Sequence, residues 1–152
     1  MGTRSTIKFI EKVKEKEFVY AVIYQQYDGY IEGVGYELCQ WLMKKRMING
    51  IGYGQYNDKY VNGVGCLVAK FIRDFKSETG GLYLIPFEGE KEDYNYEVII
   101  SYDYLSVGRM EDGIPLDDIT IIKVTNFDEE KPIFEGKISE LLCYKDELLY
   151  CD

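Results

Sequence analysis

A chain of 152 residues with 46% hydrophobic content is long enough for one domain with a real core and too apolar to be disordered throughout. Its net charge of −9 argues against a general binder of duplex nucleic acid, because such affinity comes from neutralising phosphates. Histidine is absent and the four cysteines, Cys39, Cys66, Cys143 and Cys151, form no C-x-x-C pair, which removes Ser-His and Cys-His catalysis and a zinc site of usual spacing. No secretory signal pattern and no long apolar run is present, so the expectation is a soluble, cytoplasmic protein in a reducing compartment, with no membrane partner and no cofactor. The charge is uneven: residues 1–76 hold 12 Lys/Arg against 8 Asp/Glu, residues 77–152 hold 6 against 19. Opposite halves suit self-complementary packing, within one chain or between copies.

In chain order, Thr3–Ile10 alternates in part and predicts a strand, with Arg4 on it between Thr3 and Ser5. The mixed charge run Glu11–Glu17 reads as a hairpin loop. Phe18–Gln26 is rich in β-branched and aromatic residues and predicts a second strand, paired antiparallel with the first. A glycine turn, Tyr27–Gly35, leads into a helix over Val34–Met47 with the stripe Val34, Leu38, Trp41, Leu42. Lys44, Lys45 and Arg46 crowd its end, where the helix dipole favours cations, and Asn49-Gly50 stops it. Ile51–Tyr60 reads as a loop. A second helix, Val64–Phe75, carries the stripe Val64, Leu67, Val68, Phe71, Ile72, Phe75. Then follow a short strand at Leu82–Pro86, an acidic turn at Glu88–Asp93 and a strand within Tyr94–Tyr104. A loop or bulged hairpin spans Leu105–Asp118, a strand Ile119–Thr125, and an edge strand Pro132–Glu135. A short helix over Lys137–Tyr144 precedes an acidic tail, 145–152. This order predicts an α+β fold: one domain over 1–144, a mainly antiparallel sheet, and two central amphipathic helices packed on one face.

Chemistry concentrates at two similar turns. Gly33-Val34-Gly35 and Gly63-Val64-Gly65 each stand at the mouth of a predicted helix. Free N–H groups and the positive dipole end there suit an anion, and two such ends could converge on one small anionic ligand. The full dinucleotide and P-loop fingerprints are not met, and glycines that let helices start tightly against a sheet explain the same pattern. Asp28 and Glu32, with Glu37, form a candidate carboxylate group for a divalent metal; Asp28-Gly29 is equally a common turn pair. Arg4 is a candidate partner for Asp28 or for an anion. Tyrosines 24, 27, 30, 36, 53, 56 and 60 surround the turns, as stacking platforms or as the rim of a protein interface. The opening M-G-T-R-S-T fits an acylation pattern at Gly2, and a small residue opening a strand fits it as well.

Taken together, M-G-T-R-S, then Tyr24, Gln26, Asp28, Gly29, Tyr30, Gly33, Gly35 and Leu38, then Asn62, Gly63, Gly65, Cys66, Leu67 and Ala69, then Gly80, Gly81 and Tyr83, form a set of some specificity. Over about its first two-thirds the chain resembles a family of small uncharacterised proteins of bacteriophages, bacteria and giant DNA viruses of amoebae. Gln26-Tyr27 stands where bacterial and phage relatives often carry Cys or His followed by Trp. The resemblance implies a viral origin, host-cytoplasmic location and a site at these turns, but no reaction. The expectation is a non-enzymatic viral accessory protein binding a protein partner or a small anionic ligand through Arg4, Asp28, Gly29, Tyr30, Gly33, Gly35, Asn62, Gly63 and Gly65, and able to form a homo-oligomer. Two alternatives stay open: a metal-dependent hydrolase or nucleotide-processing enzyme using Asp28 and Glu32, and a packaged structural component of the virion.

Overall fold

The structure is a computed structural model that describes residues 2–52, 54–55, 57–86, 92–109, 111–127 and 131–144. In chain order its elements are β1 (Ser5–Val13), β2 (Lys16–Gln25), a π-helical turn at Ile31–Gly35, α1 (Tyr36–Met43), β3 (Arg46–Ile48), β4 (Tyr60–Asn62) and α2 (Val64–Phe75). They continue with β5 (Leu82–Ile85), β6 (Tyr94–Ile100), α3 (Tyr104–Arg109), β7 (Ile114–Pro115), a 3-10 turn at Leu116–Asp118, β8 (Thr120–Asn126), β9 (Phe134–Gly136) and α4 (Ile138–Leu142).

The charged run expected as a loop is strand instead. β1 and β2 pair as far as Val13↔Lys16, and the turn is confined to Lys14 and Glu15, with Lys14 in the left-handed region at φ 56°. Alternation explains it: Lys12 lies opposite Glu17, an opposite-charge pair on an open face, while Glu11 continues the inward series of Ile7 and Phe9.

Six strands form the main sheet in the order β5-β2-β1-β6-β8-β9. Four of its five pairings are antiparallel, but β1 and β6 run parallel. The sheet is therefore mixed rather than antiparallel, because the chain passes through helices between β1 and β6 and returns in the same direction. A small second sheet, β4-β3-β7, joins segments far apart in sequence.

One face of the main sheet is the core. Ile7, Phe9, Ile23, Tyr96, Val98, Ile100, Ile122 and Val124 share it by register and are buried. The helices cover it: Phe71 of α2 packs on Phe9 at 5.3 Å between ring centroids, stacks on Phe75 at 4.3 Å and meets the edge of Trp41 at 5.5 Å. Ile138 and Leu141 of α4 are buried in the same core. The opposite face carries the row Lys8, Glu97, Lys123, Glu135, adjacent by register and alternating in sign, which suits it to water.

Among the described residues the α-helices are four and short: to the two central helices and the terminal one expected, the structure adds α3. α2 has the expected bounds and stripe. The first helix stops at Met43 rather than Met47, because Lys45 turns inward: it is buried, its ammonium donates to the Asp58 carbonyl at 2.9 Å and lies 4.8 Å over the Trp41 ring. Arg46–Ile48 then pairs with Tyr60–Asn62 and with Ile114–Pro115, burying Met47 and Ile48. β4 begins at the end of the segment read as a loop, and α3 and β7 fall almost wholly in the one read as a loop or bulged hairpin. The expected acidic turn at 88–93 and the tail at 145–152 fall largely or wholly outside the described residues. Among the described residues no helix is long and apolar enough to cross a membrane.

Phe71 joins α2 to both α1 and the sheet, so Phe71→Ala is expected to cost about 3–5 kcal/mol in urea unfolding, against less than about 1 kcal/mol for Met43→Ala at a largely exposed position.

Candidate functional site

The first glycine turn is a piece of packed architecture. Asp28 adopts φ 56°, and its carbonyl accepts the Val34 N–H at 2.8 Å. A Cβ on Gly33 would collide with that carbonyl oxygen. Gly29 donates its N–H to the Thr3 carbonyl at 2.9 Å, and a Cβ there would come within 2.9 Å of the Arg4 main chain. The Tyr96 hydroxyl, fully buried, donates to the Gly29 carbonyl at 2.6 Å, while Gly35 lies against the Tyr96 ring. Gly2 in turn packs on Gln26 and Tyr27. The two ends of the sequence motif, M-G-T-R-S and D-G-Y-x-x-G-x-G, thus pack on one another at the start of β1. Arg4 acts here through its main chain, donating to the Asp93 carboxylate at 3.0 Å and accepting from the Tyr94 N–H at 3.1 Å. The Asp28 carboxylate accepts the Tyr30 hydroxyl at 3.4 Å, and that carboxylate foremost raises the Tyr30 pKa.

The second glycine turn is elsewhere. A Cβ on Gly65 would meet the Tyr20 ring at 3.7 Å, and one on Gly63 the Tyr102 hydroxyl at 4.0 Å. Both tyrosines belong to the far end of β1, around Glu11. From Ser5 to Glu11 the strand rises about 20 Å, at about 3.3 Å per residue. The two turns therefore stand at opposite ends of β1, so that Arg4, Asp28, Gly29, Tyr30, Gly33 and Gly35 come together while Asn62, Gly63 and Gly65 form a separate group. Convergence of both on one anion is not what the geometry offers.

This second group surrounds a buried carboxylate. Glu11 is only 4% exposed. Tyr20 donates to its Oε2 at 3.3 Å and Tyr104 to its Oε1. A carboxylate taken out of water needs such donors, so the two rings are fixed in place by it. Tyr102 packs on Tyr104 at 4.9 Å between centroids, and its hydroxyl is pushed up to about 12, chiefly by burial and then by the charge of Glu11. Burial and then Glu11 also raise Tyr20. Gly63, at φ 88°, starts α2 with no side-chain cap. Asn62 accepts the Gly50 N–H at 2.8 Å, and Asn49 donates to the Tyr104 carbonyl at 3.0 Å, tying the end of β3 and α3 to the same mouth. The sequence reading missed Glu11 because it placed that residue in a loop; the spacing Ile7, Phe9, Glu11 was the available signal.

Several basic residues of the first half are engaged internally. Arg73 grips Asp58 through two bonds of 2.9 and 2.8 Å and bonds Asp74 at 2.8 Å; Lys70 donates to the Tyr60 carbonyl at 2.7 Å; Arg46 donates to the carbonyls of Asp112 and Gly113. The Arg73 hydrogen bond holds the Asp58 and Asp74 carboxyls below the usual range, and burial lowers Lys45. A cleft of about 120 Å³ lies at the other end of α2, between Gln25, Tyr27, Phe75, Glu78 and Gly81. That is well short of the roughly 300 Å³ from which ligand pockets begin. Among the described residues no three His, Cys, Asp or Glu side chains stand together as a metal site. Cys39 is fully buried, and burial pushes its thiol up to about 12.

Comparison with protein-family models, with curated proteins and with solved structures finds no match to this chain.

Two predictions follow from the different surroundings of the glycine turns and of Asp58. Gly33→Ala is expected to lose about 1–3 kcal/mol through forced displacement of the Asp28 carbonyl, whereas Gly65→Ala, in open contact within a helix, should be neutral or gain up to about 1 kcal/mol; chemical denaturation reads both. Because the folded pKa of Asp58 lies below its ordinary 3.8, its contribution to stability is complete above that pH and is lost as pH falls through the folded value. The urea midpoint of Asp58→Asn should accordingly fall less steeply than that of the parent protein on acidification below pH 3.8.

Proposed function

We propose that this is a non-enzymatic binding protein whose contact surface is the aromatic mouth around the start of α2. The observation that carries the reading is an exposed apolar patch built on a rigid base. Leu105 is 70% exposed, and Tyr104, Tyr20 and Phe18 are each exposed by two-fifths or more around the tyrosine–Glu11 cluster. Clustered exposed apolar residues mark contact sites, and tyrosines held by a buried carboxylate lose little freedom on binding. Asn62, Gly63 and Gly65 belong to this mouth. Arg4, Asp28, Gly29, Tyr30, Gly33 and Gly35 are assigned to supporting β1 instead.

A metal-dependent reaction at Asp28 and Glu32 gains no support, since among the described residues no three His, Cys, Asp or Glu side chains stand together there. The viral accessory role and a place in the virion rest on the sequence resemblance alone, and a protein partner fits this patch better than a small anion does.

The test is affinity capture from cells that naturally express the protein, with quantitative mass spectrometry. Leu105→Asp is expected to reduce recovery of a specific partner at least about tenfold, the effect of losing about 1.4 kcal/mol, while Met43→Asp leaves it unchanged. Equal recovery by both variants, or no specific partner, would overturn the proposal.

A further inference from the structure

Gln26 fixes the Gly80–Gly81 turn beside the last turn of α2. Its N–H donates to the Gly81 carbonyl and its side-chain oxygen accepts the Gly81 N–H, both at 2.9 Å. Gly81, at φ 83°, leaves room there for the Glu78 carboxylate, since a Cβ would come within 2.7 Å of Glu78 Oε1. Between this turn, β2 and α2 lies the cleft of about 120 Å³. Phe75 and Leu82 are its apolar lining, and Gln25, Tyr27, Ser77 and Glu78 bring polar groups to it. A cavity of about 150 Å³ holds a benzene ring, so the space suits one small head group rather than a nucleotide.

The fixed charge around the cleft is negative. Glu78 is the charged side chain of the lining, and the carboxyl end of α2 adds the negative pole of the helix. The neighbouring cations are committed elsewhere. Arg73 is bound to Asp58 and Asp74, and the Lys76 ammonium donates to the carbonyls of Thr79, Gly80 and Leu82 at 3.0, 3.0 and 2.7 Å. By contrast, among the described residues the side chains of Gln25, Tyr27, Ser77 and Glu78 make no hydrogen bond or ion pair. Hydrogen-bonding capacity, negative charge and two aromatic rings thus meet in one small space.

We propose that this cleft is a binding site for a guanidinium head. A planar fork of N–H donors matches a lining of oxygen acceptors that includes a carboxylate, and its weakly hydrated faces suit the Phe75 and Tyr27 rings. An anion would meet Glu78 and the wrong pole of a helix. A divalent metal would find one carboxylate where it needs several oxygen ligands. The arginine side chain of a partner and a free guanidinium compound share this chemistry. The cleft lies at the opposite end of α2 from the aromatic mouth, and it stands whether or not that mouth binds a partner.

The test is titration of the isotope-labelled full chain with methylguanidinium and with the blocked peptide acetyl-Gly-Arg-Gly-amide, read by amide NMR shifts. Shifts centred on residues 25–27 and 75–82 are expected. The same peptide with citrulline in place of arginine keeps the shape without the charge, and should bind at least about tenfold more weakly. Glu78→Gln should weaken binding of the arginine peptide by a similar factor while leaving the spectrum of the free protein unchanged away from the cleft. Tighter binding of the peptide than of methylguanidinium assigns the head group to a partner protein, and the reverse assigns it to a free small molecule; either result upholds the site. No localised shifts from either compound, equal affinity for the citrulline peptide, or unchanged binding by Glu78→Gln would overturn the proposal.

Discussion

The structure hangs on β1, a strand paired along both of its edges. β2 lies antiparallel on one side over nine register pairs and β6 parallel on the other over seven. Its inward residues, Ile7 and Phe9, receive the helices, and Phe9 meets Phe71 at the centre of the core. Its ends set two different environments. Ser5 and Arg4 receive the first glycine turn, and Glu11 orders the tyrosines at the mouth of α2.

The buried carboxylate at the far end of β1 explains why a surface there is both apolar and stiff. A carboxyl group removed from water needs hydrogen-bond partners, and Tyr20 and Tyr104 supply them. Their rings then stand at the surface in fixed orientations beside Leu105 and Phe18. The burial that fixes them also raises Tyr20 and Tyr102. At the opposite end the polar groups are turned inward on the main chain, and the glycines are there because carbonyl oxygens and the Tyr96 ring occupy the space that side chains would need.

Asp58 plays a comparable part for the first half of the chain. Arg73, Lys70 and Lys45 converge on its carboxylate or its carbonyl, closing the turn before β4 onto α2 and the end of α1. Among the ion pairs of the described residues, Arg46 with Asp112 joins the two halves, while Arg73 and Lys70 pair within the first. Charge asymmetry along the sequence does not by itself mark a surface for an anion.

The α+β class, the limits of α2, the hairpin of β1 and β2, and the short terminal helix α4 were legible in the sequence, because each is a local pattern: a 3.6-residue apolar stripe or an alternation of period two. β9 was legible as an edge strand near Pro132 for the same local reason. What the tertiary structure alone decided was long-range. The three-residue strands β3 and β4 exist because Arg46–Ile48, Tyr60–Asn62 and Ile114–Pro115 find one another across the chain, and no window of sequence holds that information. The parallel pairing of β1 with β6 is likewise a property of the route between them. The two Gly-Val-Gly segments were alike as sequence, yet one is filled by a carbonyl oxygen and a buried tyrosine and the other opens among exposed rings. A local motif specifies what a backbone can do; which atoms then stand next to it is settled by where the rest of the chain packs.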